Sequence, residues 1–190
     1  LGYQPYRWFK AGSEVDKCNI NLPVTESKLG LLSTSGAYSV GQKAFHYKDD
    51  TSENGMATMI STWNHGMQAN SAGFKVLNAG GNAMDMIEAA ARIVEEDAEG
   101  LSVGLGGLPD RDGNVTLDAC CMDHKGRAGS VCFLQDIMYP LSVARKVMEE
   151  TPHVMLAGEG AKQFALEQGF KTTDLLTEKA KKAWEKWKVE

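Results

Sequence analysis

The sequence is short of the features that announce most chemistries. Its 20 lysines and arginines stand against 25 aspartates and glutamates, a net charge of -5. That balance argues against a nucleic-acid partner, which needs a basic surface. No apolar run approaches the roughly 20 residues of a membrane-crossing helix, and no charged-then-apolar signal segment is visible. The cysteines, Cys18, Cys120, Cys121 and Cys132, lack the paired C-x-x-C spacing of a zinc site. His46, His65, His124 and His153 do not recur at ligand spacing, and none adjoins a serine elbow or a cysteine nucleophile motif. No metal and no complete catalytic set is expected within this stretch of chain. The sequence opens on Leu1 rather than Met, so the expectation is a start that was cut or trimmed.

What is present is ordinary in amount and informative in order. A length of 190 residues suits one sizeable core, and 43% apolar with 24% charged residues matches a globular protein. Residues 1 to about 55 carry many turn formers, weak periodicity and an aromatic cluster, Tyr3, Tyr6, Trp8 and Phe9, and are read as an extension or irregular arm. From Met56 the pattern sharpens. Met56 to Ser61 reads as a strand, and Ala69 to Ala79 as a helix stopped by Gly80-Gly81. Asn82 caps a second helix in which Ala83, Ile87, Ala90, Ala91 and Val94 recur at helical spacing, with small alanines suited to close packing on a sheet. The acidic run Glu95-Glu96-Asp97 ends it and is expected to be solvated.

Ser102 to Gly107 is glycine-rich but lacks the Lys-Ser/Thr of a phosphate loop, so a tight structural loop beside a pocket is expected. Val115 to Met122 and Gly129 to Leu134 read as a hairpin around His124-Lys125-Gly126-Arg127. Cys120 and Cys121 then face opposite ways, and either Cys120 lies across from Cys132 as a disulfide or the thiols are free. Pro140 opens a helix to Glu149, His153 to Ala157 reads as a short buried strand, and Glu159 to Gln168 as a helix. The tail from Thr177 to Lys188 is helical, with Trp184 and Trp187 on one side, where they dock the tail. Helix pairs against a sheet containing a hairpin make the class α/β or α+β.

One run stands where chemistry could collect. Ser61-Thr62-Trp63-Asn64-His65-Gly66 lies where a strand hands over to a helix, with a flat aromatic face at Trp63 and close backbone approach allowed at Gly66. It reads either as a pocket wall for a ring or as a tryptophan at the edge of the core.

Residues 56 to 188 resemble the α chain of the glycosylasparaginases, or aspartylglucosaminidases, a family of N-terminal-nucleophile hydrolases. The resemblance rests on Ser61-Thr62-Trp63-Asn64, Gly80-Gly81-Asn82-Ala83-Met84-Asp85, Ser102-Val103-Gly104 with Gly106-Gly107, and Pro109-Asp110-Arg111-Asp112-Gly113. It continues through Val115 to Cys120, Gly129-Ser130-Val131, Pro140 to Glu149, Thr151 to Leu156 and Gly158 to Ala161. The division it suggests is an extension over 1–55 and the α-subunit half of a hydrolase over 56–190.

The resemblance implies an α+β fold, a four-layer αββα sandwich of which this chain is the α half. The other half is a β chain cut from the same precursor, with the cut expected downstream of Glu190, and pairs of αβ units are common. It implies no catalytic residue in this chain, because the nucleophile is the threonine that begins the β chain and uses its own α-amine as base. No cofactor is implied. Trp63 would line the sugar end of the substrate funnel with His65, which stands where the family often has an aromatic residue. Ser102 and Ser130 would support the nucleophile or serve as satisfied structural hydroxyls. The implied reaction cleaves the amide between GlcNAc and asparagine in glycoasparagine.

Isoaspartyl peptidases and plant-type asparaginases share the Ala144-Arg145 and Thr151-to-Ala161 regions but typically carry a His-Gly-Gly-Ala-Gly run where this chain has Ser-Thr-Trp-Asn-His-Gly. They are the alternative activity, and a non-catalytic binding or scaffold relative is the alternative of another class. The family occurs in lysosomes and in bacteria, often exported, and leaves the compartment open. Asn114-Val115-Thr116 matches a glycosylation sequon at the start of a strand.

Overall fold

The computed structural model describes residues 28–31, 33–34, 45–48 and 57–189. Two sheets emerge. The first holds β1 (Lys28–Leu31), β4 (Ala57–Ser61) and β3 (Phe45–Lys48) in the order β1-β4-β3, with β4 parallel to β1 and antiparallel to β3. The second holds β2 (Ser33–Thr34), β5 (Leu117–Met122), β6 (Ala128–Leu134) and β7 (Met155–Ala157) in the order β2-β5-β6-β7. Strands and helices in these proportions make the chain α+β. β1, β2 and β3 come from the stretch read as an irregular arm; strands of two to four residues are too short for an alternation to declare itself. Tyr3, Tyr6, Trp8, Phe9 and Cys18 lie outside the described residues.

Two helices follow β4 and are punctuated by chemistry visible in the sequence. α1 (Gly66–Asn78) begins three residues before the expected Ala69. Its end is closed by Gly80 N–H donating to the Leu77 carbonyl and Gly81 N–H to the Val76 carbonyl, the paired bonds of a glycine C-cap. α2 (Ala83–Glu95) starts on a reciprocal cap: Asn82 Oδ1 accepts from Met84 and Asp85 N–H at 2.8 and 3.2 Å, while Asn82 N–H donates to Asp85 Oδ2 at 2.9 Å. Such caps contribute about 1 kcal/mol each. The short turn folds α2 back along α1, so the start of α1 lies beside the end of α2.

α2 divides its apolar face between two cores. Met86, Ala90 and Val94 join Met59 of β4 with Ala69 and Phe74 of α1. Ile87 and Ala91 join Cys121, Val131, Leu134 and the inner face of α3 (Pro140–Glu150). The alanines expected to meet a sheet therefore serve helix–helix contacts as well. α3 starts at Pro140, as expected, and lies directly on β6: a Cβ on Gly129 would fall 2.2 Å from the Ala144 carbonyl oxygen, so only glycine fits there.

β5 and β6 form the expected antiparallel hairpin, with Asp123 holding its turn by accepting from the N–H groups of Lys125 and Arg127, both at 2.9 Å. The register sets Cys120 opposite Ser130 and leaves Cys132 away from it, so Cys120, Cys121 and Cys132 are free thiols and the hairpin disulfide does not form. Burial pushes the Cys121 thiol up to about 11, with the neighbouring Cys120 adding to the shift.

β7 corrects the buried-strand reading of His153 to Ala157. It runs parallel to β6 at the sheet edge and Met155 is 59% exposed. α3 covers one face of this sheet; on the other, Cys120, Met122 and Met155 are exposed. α4 (Gly158–Glu167) and α5 (Glu178–Val189) complete the chain. Trp184 docks α5, its Nε1 donating to the Arg111 carbonyl at 3.3 Å, whereas Trp187 is 58% exposed and does not dock it. No helix among the described residues is long and apolar enough to cross a membrane.

Candidate functional site

The junction between β4 and α1 is held from beneath. Ser61, the last residue of the strand, donates its hydroxyl to Asn70 Oδ1 at 2.5 Å, and both side chains are buried at 2% and 1% exposure. A buried hydrogen bond between strand end and helix restricts how the intervening loop can turn. The loop turns sharply: Gly66 N–H returns to the Trp63 carbonyl at 3.1 Å, and Ala69 N–H to that of His65 at 3.1 Å. Trp63 accordingly adopts φ +71, a left-handed conformation that costs a bulky side chain on the order of 1–3 kcal/mol. The strain turns Trp63 out of the strand's alternation, half-buried, with Thr62 and Asn64 exposed on either side.

His65 occupies the N-cap position of α1 without a side-chain cap bond. Partial burial lowers its pKa, and the carboxylate of Asp97, just past the end of α2, pulls the other way. The net result is a neutral imidazole at neutral pH, able to donate one hydrogen bond and accept another.

Ser102 lies on the loop that leaves this same end of the helix pair, and it is exposed. The loop is pinned as a unit: Leu105 N–H donates to the Glu95 carbonyl and Gly106 N–H to the Leu175 carbonyl, each at 2.8 Å. Gly104, at φ +61, approaches so closely that a Cβ would sit 2.1 Å from the Glu95 carbonyl oxygen. This is the tight structural loop expected, although the cavity of about 340 Å³ between α2 and the segment after α4 is lined by other residues. Trp63, His65 and the Ser102 loop thus share one end of the α1–α2 pair. Ser130 stands apart in the middle of β6, 8% exposed, its hydroxyl donating to the Val154 carbonyl at 2.7 Å and so fixing the approach to β7.

Two polar clusters escaped the sequence reading. Glu95 is not part of a solvated acidic run: it is 4% exposed, with Oε1 accepting from Leu141 N–H at 3.1 Å and Oε2 without a hydrogen-bond partner among the described residues. Burial pushes its carboxyl up to about 8, against the opposing backbone bond from Leu141 and the charge of Arg92. The spacing Ile87-Ala91-Glu95 was the available signal, since it puts the glutamate on the buried stripe. Beside it the Arg92 guanidinium stacks 4.1 Å from the Tyr139 ring centroid, and the Tyr139 hydroxyl donates to Glu96 Oε1 at 2.6 Å. Further along, Arg145 joins Asp85, Glu88 and Glu149 at 2.7 to 2.8 Å. No group of three or more His, Cys, Asp or Glu side chains among the described residues is placed to hold a metal ion.

A family model described as Asparaginase matches residues 44–190, beginning before Met56. Among relatives, the N(4)-(Beta-N-acetylglucosaminyl)-L-asparaginase of Elizabethkingia miricola is 55% identical over 129 residues, 68% of this chain and 38% of that protein. The isoaspartyl peptidase/L-asparaginase of Rattus norvegicus is 41% identical over 127 residues, 65% of this chain and 38% of that protein. The N(4)-(Beta-N-acetylglucosaminyl)-L-asparaginase of Rattus norvegicus is 36% identical over 135 residues, 70% of this chain and 39% of that protein. The chain spans less than two fifths of the length of these curated relatives.

Proposed function

This chain belongs to the asparaginase family, and on that premise we propose that it is the α subunit of a glycosylasparaginase, cleaving the amide that joins GlcNAc to asparagine. The observation that carries the reading is the Trp63 junction, an aromatic side chain held in a strained conformation at a strand end. Strain at such a position persists where the surroundings over-determine it, a pattern that clusters at ligand-binding sites. The higher identity to a relative named for the glycosylated substrate, 55% against 41% for an isoaspartyl peptidase, supports the same choice.

In this reading Trp63 offers its ring to the sugar and His65 a neutral imidazole for stacking or a hydrogen bond. The nucleophile is a threonine at the start of a β chain cut from the same precursor. Its hydroxyl oxygen adds to the amide carbonyl while its α-amine takes the proton. The amine then hands that proton to the departing glycosylamine as the C–N bond breaks, leaving an ester. Oxyanion donors hold the charge of each tetrahedral intermediate, and water resolves the ester to aspartate and free threonine. Ser102, exposed on its pinned loop, and Ser130, through the β6–β7 spacing it maintains, support the nucleophile.

A four-layer αββα sandwich follows if the β chain lays a sheet on the face where Cys120, Met122 and Met155 are exposed, opposite α3. Apolar side chains on an uncovered sheet face are what such a partner would bury. A pair of αβ units is the proposed assembly.

The test is an assay of the purified full-length protein on GlcNAc-asparagine and on β-aspartyl dipeptides. Faster turnover of GlcNAc-asparagine is expected; a clear preference for dipeptides would transfer the chain to the isoaspartyl peptidase branch. Mass spectrometry should find a second chain beginning with threonine. A protein that yields no such chain is a non-catalytic relative.

A further inference from the structure

The cavity between the end of α2 and the segment after α4 has no part in the proposed reaction. Its volume is about 340 Å³, at the lower end of the range for small-molecule sites, and its walls include Arg92, Met138, Tyr139, Phe170 and Lys171. Both charged wall residues are cations, and no carboxylate lines it.

Neither cation has an ion-pair partner among the described residues. Among the described residues Arg92 makes no ion pair, and its Nε is buried without a hydrogen-bond partner. Stacking on Tyr139 at 4.1 Å holds the plane of the guanidinium, and Arg92 contributes to the cavity wall a group suited to carboxylate or phosphate oxygens. The nearest carboxyls form no ion pair with Arg92 among the described residues. Glu95, pushed up to about 8 by burial, is mostly uncharged at neutral pH, and Glu96 accepts the Tyr139 hydroxyl. Lys171 likewise makes no ion pair among the described residues, unlike Lys162 on α4, which is paired with Asp136 at 2.6 Å. Met138 and Phe170 supply the apolar part of the wall.

We propose that this cavity binds a small organic anion, its carboxylate or phosphate group between Arg92 and Lys171 and its apolar body against Met138 and Phe170. The volume suits a single ring or a short chain.

Calorimetric titration of the purified full-length protein with benzoate, phenyl phosphate and the neutral isostere benzamide tests it. At least one anion should bind about tenfold or more tighter than benzamide, the gain of one charge-assisted contact, and the tighter of the two identifies the headgroup. Arg92→Gln should weaken that anion about tenfold. Lys171→Gln, on an exposed side chain, should weaken it about threefold or more while leaving benzamide unchanged; it keeps the test decisive if Arg92→Gln does not fold. Equal affinity for anions and amide, no binding of either anion, or anion binding untouched by Lys171→Gln overturns the proposal.

Discussion

At the seam between α2 and α3 the charged groups complete one another within the chain. Arg145 reaches Asp85, Glu88 and Glu149, and the Ser142 hydroxyl takes the remaining oxygen of Glu88. At the junction between β4 and α1 the polar groups face outward instead. Thr62 and Asn64 are exposed, Trp63 is held at positive φ, and a buried bond from Ser61 to Asn70 supports the turn from underneath. The first arrangement is what a folding core requires, because a partly buried charge without its partner is costly. The second stores strain and leaves functional groups presented, which suits a surface that meets a ligand.

The largest effect is expected from breaking the seam. Arg145→Ala leaves three clustered carboxylates without their cation and should lower unfolding free energy by about 3 kcal/mol, read by urea titration of the full-length protein. A loss under about 1 kcal/mol would place the three acids in effective contact with solvent and erase the contrast.

Glu95 sharpens the comparison through pH. An unfolded glutamate ionises near 4.5, whereas the folded carboxyl holds its proton to about 8. The folded state therefore binds more protons across this interval, and its stability is lost as pH rises from 4.5 through 8. Glu95→Gln keeps an acceptor for Leu141 N–H and removes the ionisation, so it should stabilise the protein by about 2 kcal/mol at pH 9 and by clearly less at pH 5. An equal effect at both values would mean that Glu95 is charged in the fold.

At the junction the expectation separates function from stability. Trp63→Gly relieves a left-handed conformation while deleting the ring, so KM for GlcNAc-asparagine should rise about tenfold without a fall in Tm. A fall in Tm with unchanged KM would return Trp63 to the core. The smallest effects belong to α5: Trp184→Ala should cost about 1 kcal/mol, since its ring lies on Gly113, and Trp187→Ala less than about 0.5 kcal/mol. Equal losses in thermal unfolding would show both tryptophans docked.

Legibility in the sequence followed the range of the interaction. Asn82, Gly80-Gly81 and Pro140 marked helix ends because a cap is made by residues within one turn of each other. The β5–β6 hairpin was readable for the same reason. Its disulfide alternative failed because the turn sets Met122 opposite Ala128, and the continuous register from there places Cys120 opposite Ser130 and carries Cys132 two residues past it. Met155 reads as buried from its apolar surroundings, since an apolar triplet carries no sign of an exposed sheet edge. A run of three acids at a helix end reads as solvated, yet only Glu96 and Asp97 are exposed, because Glu95 continues the buried stripe of Ile87 and Ala91.

By itself the sequence determined the helices, their caps, the hairpin and the family, all of which rest on short segments whose residues act on their immediate neighbours. Only the tertiary structure decided which end of the α1–α2 pair gathers Trp63, His65 and the Ser102 loop, and which face of the second sheet stays open. It also put Arg92, without an ion pair among the described residues, beside a cavity and left Glu95 holding its proton. These are matters of burial and of distance between remote residues, and both are set by how the elements pack.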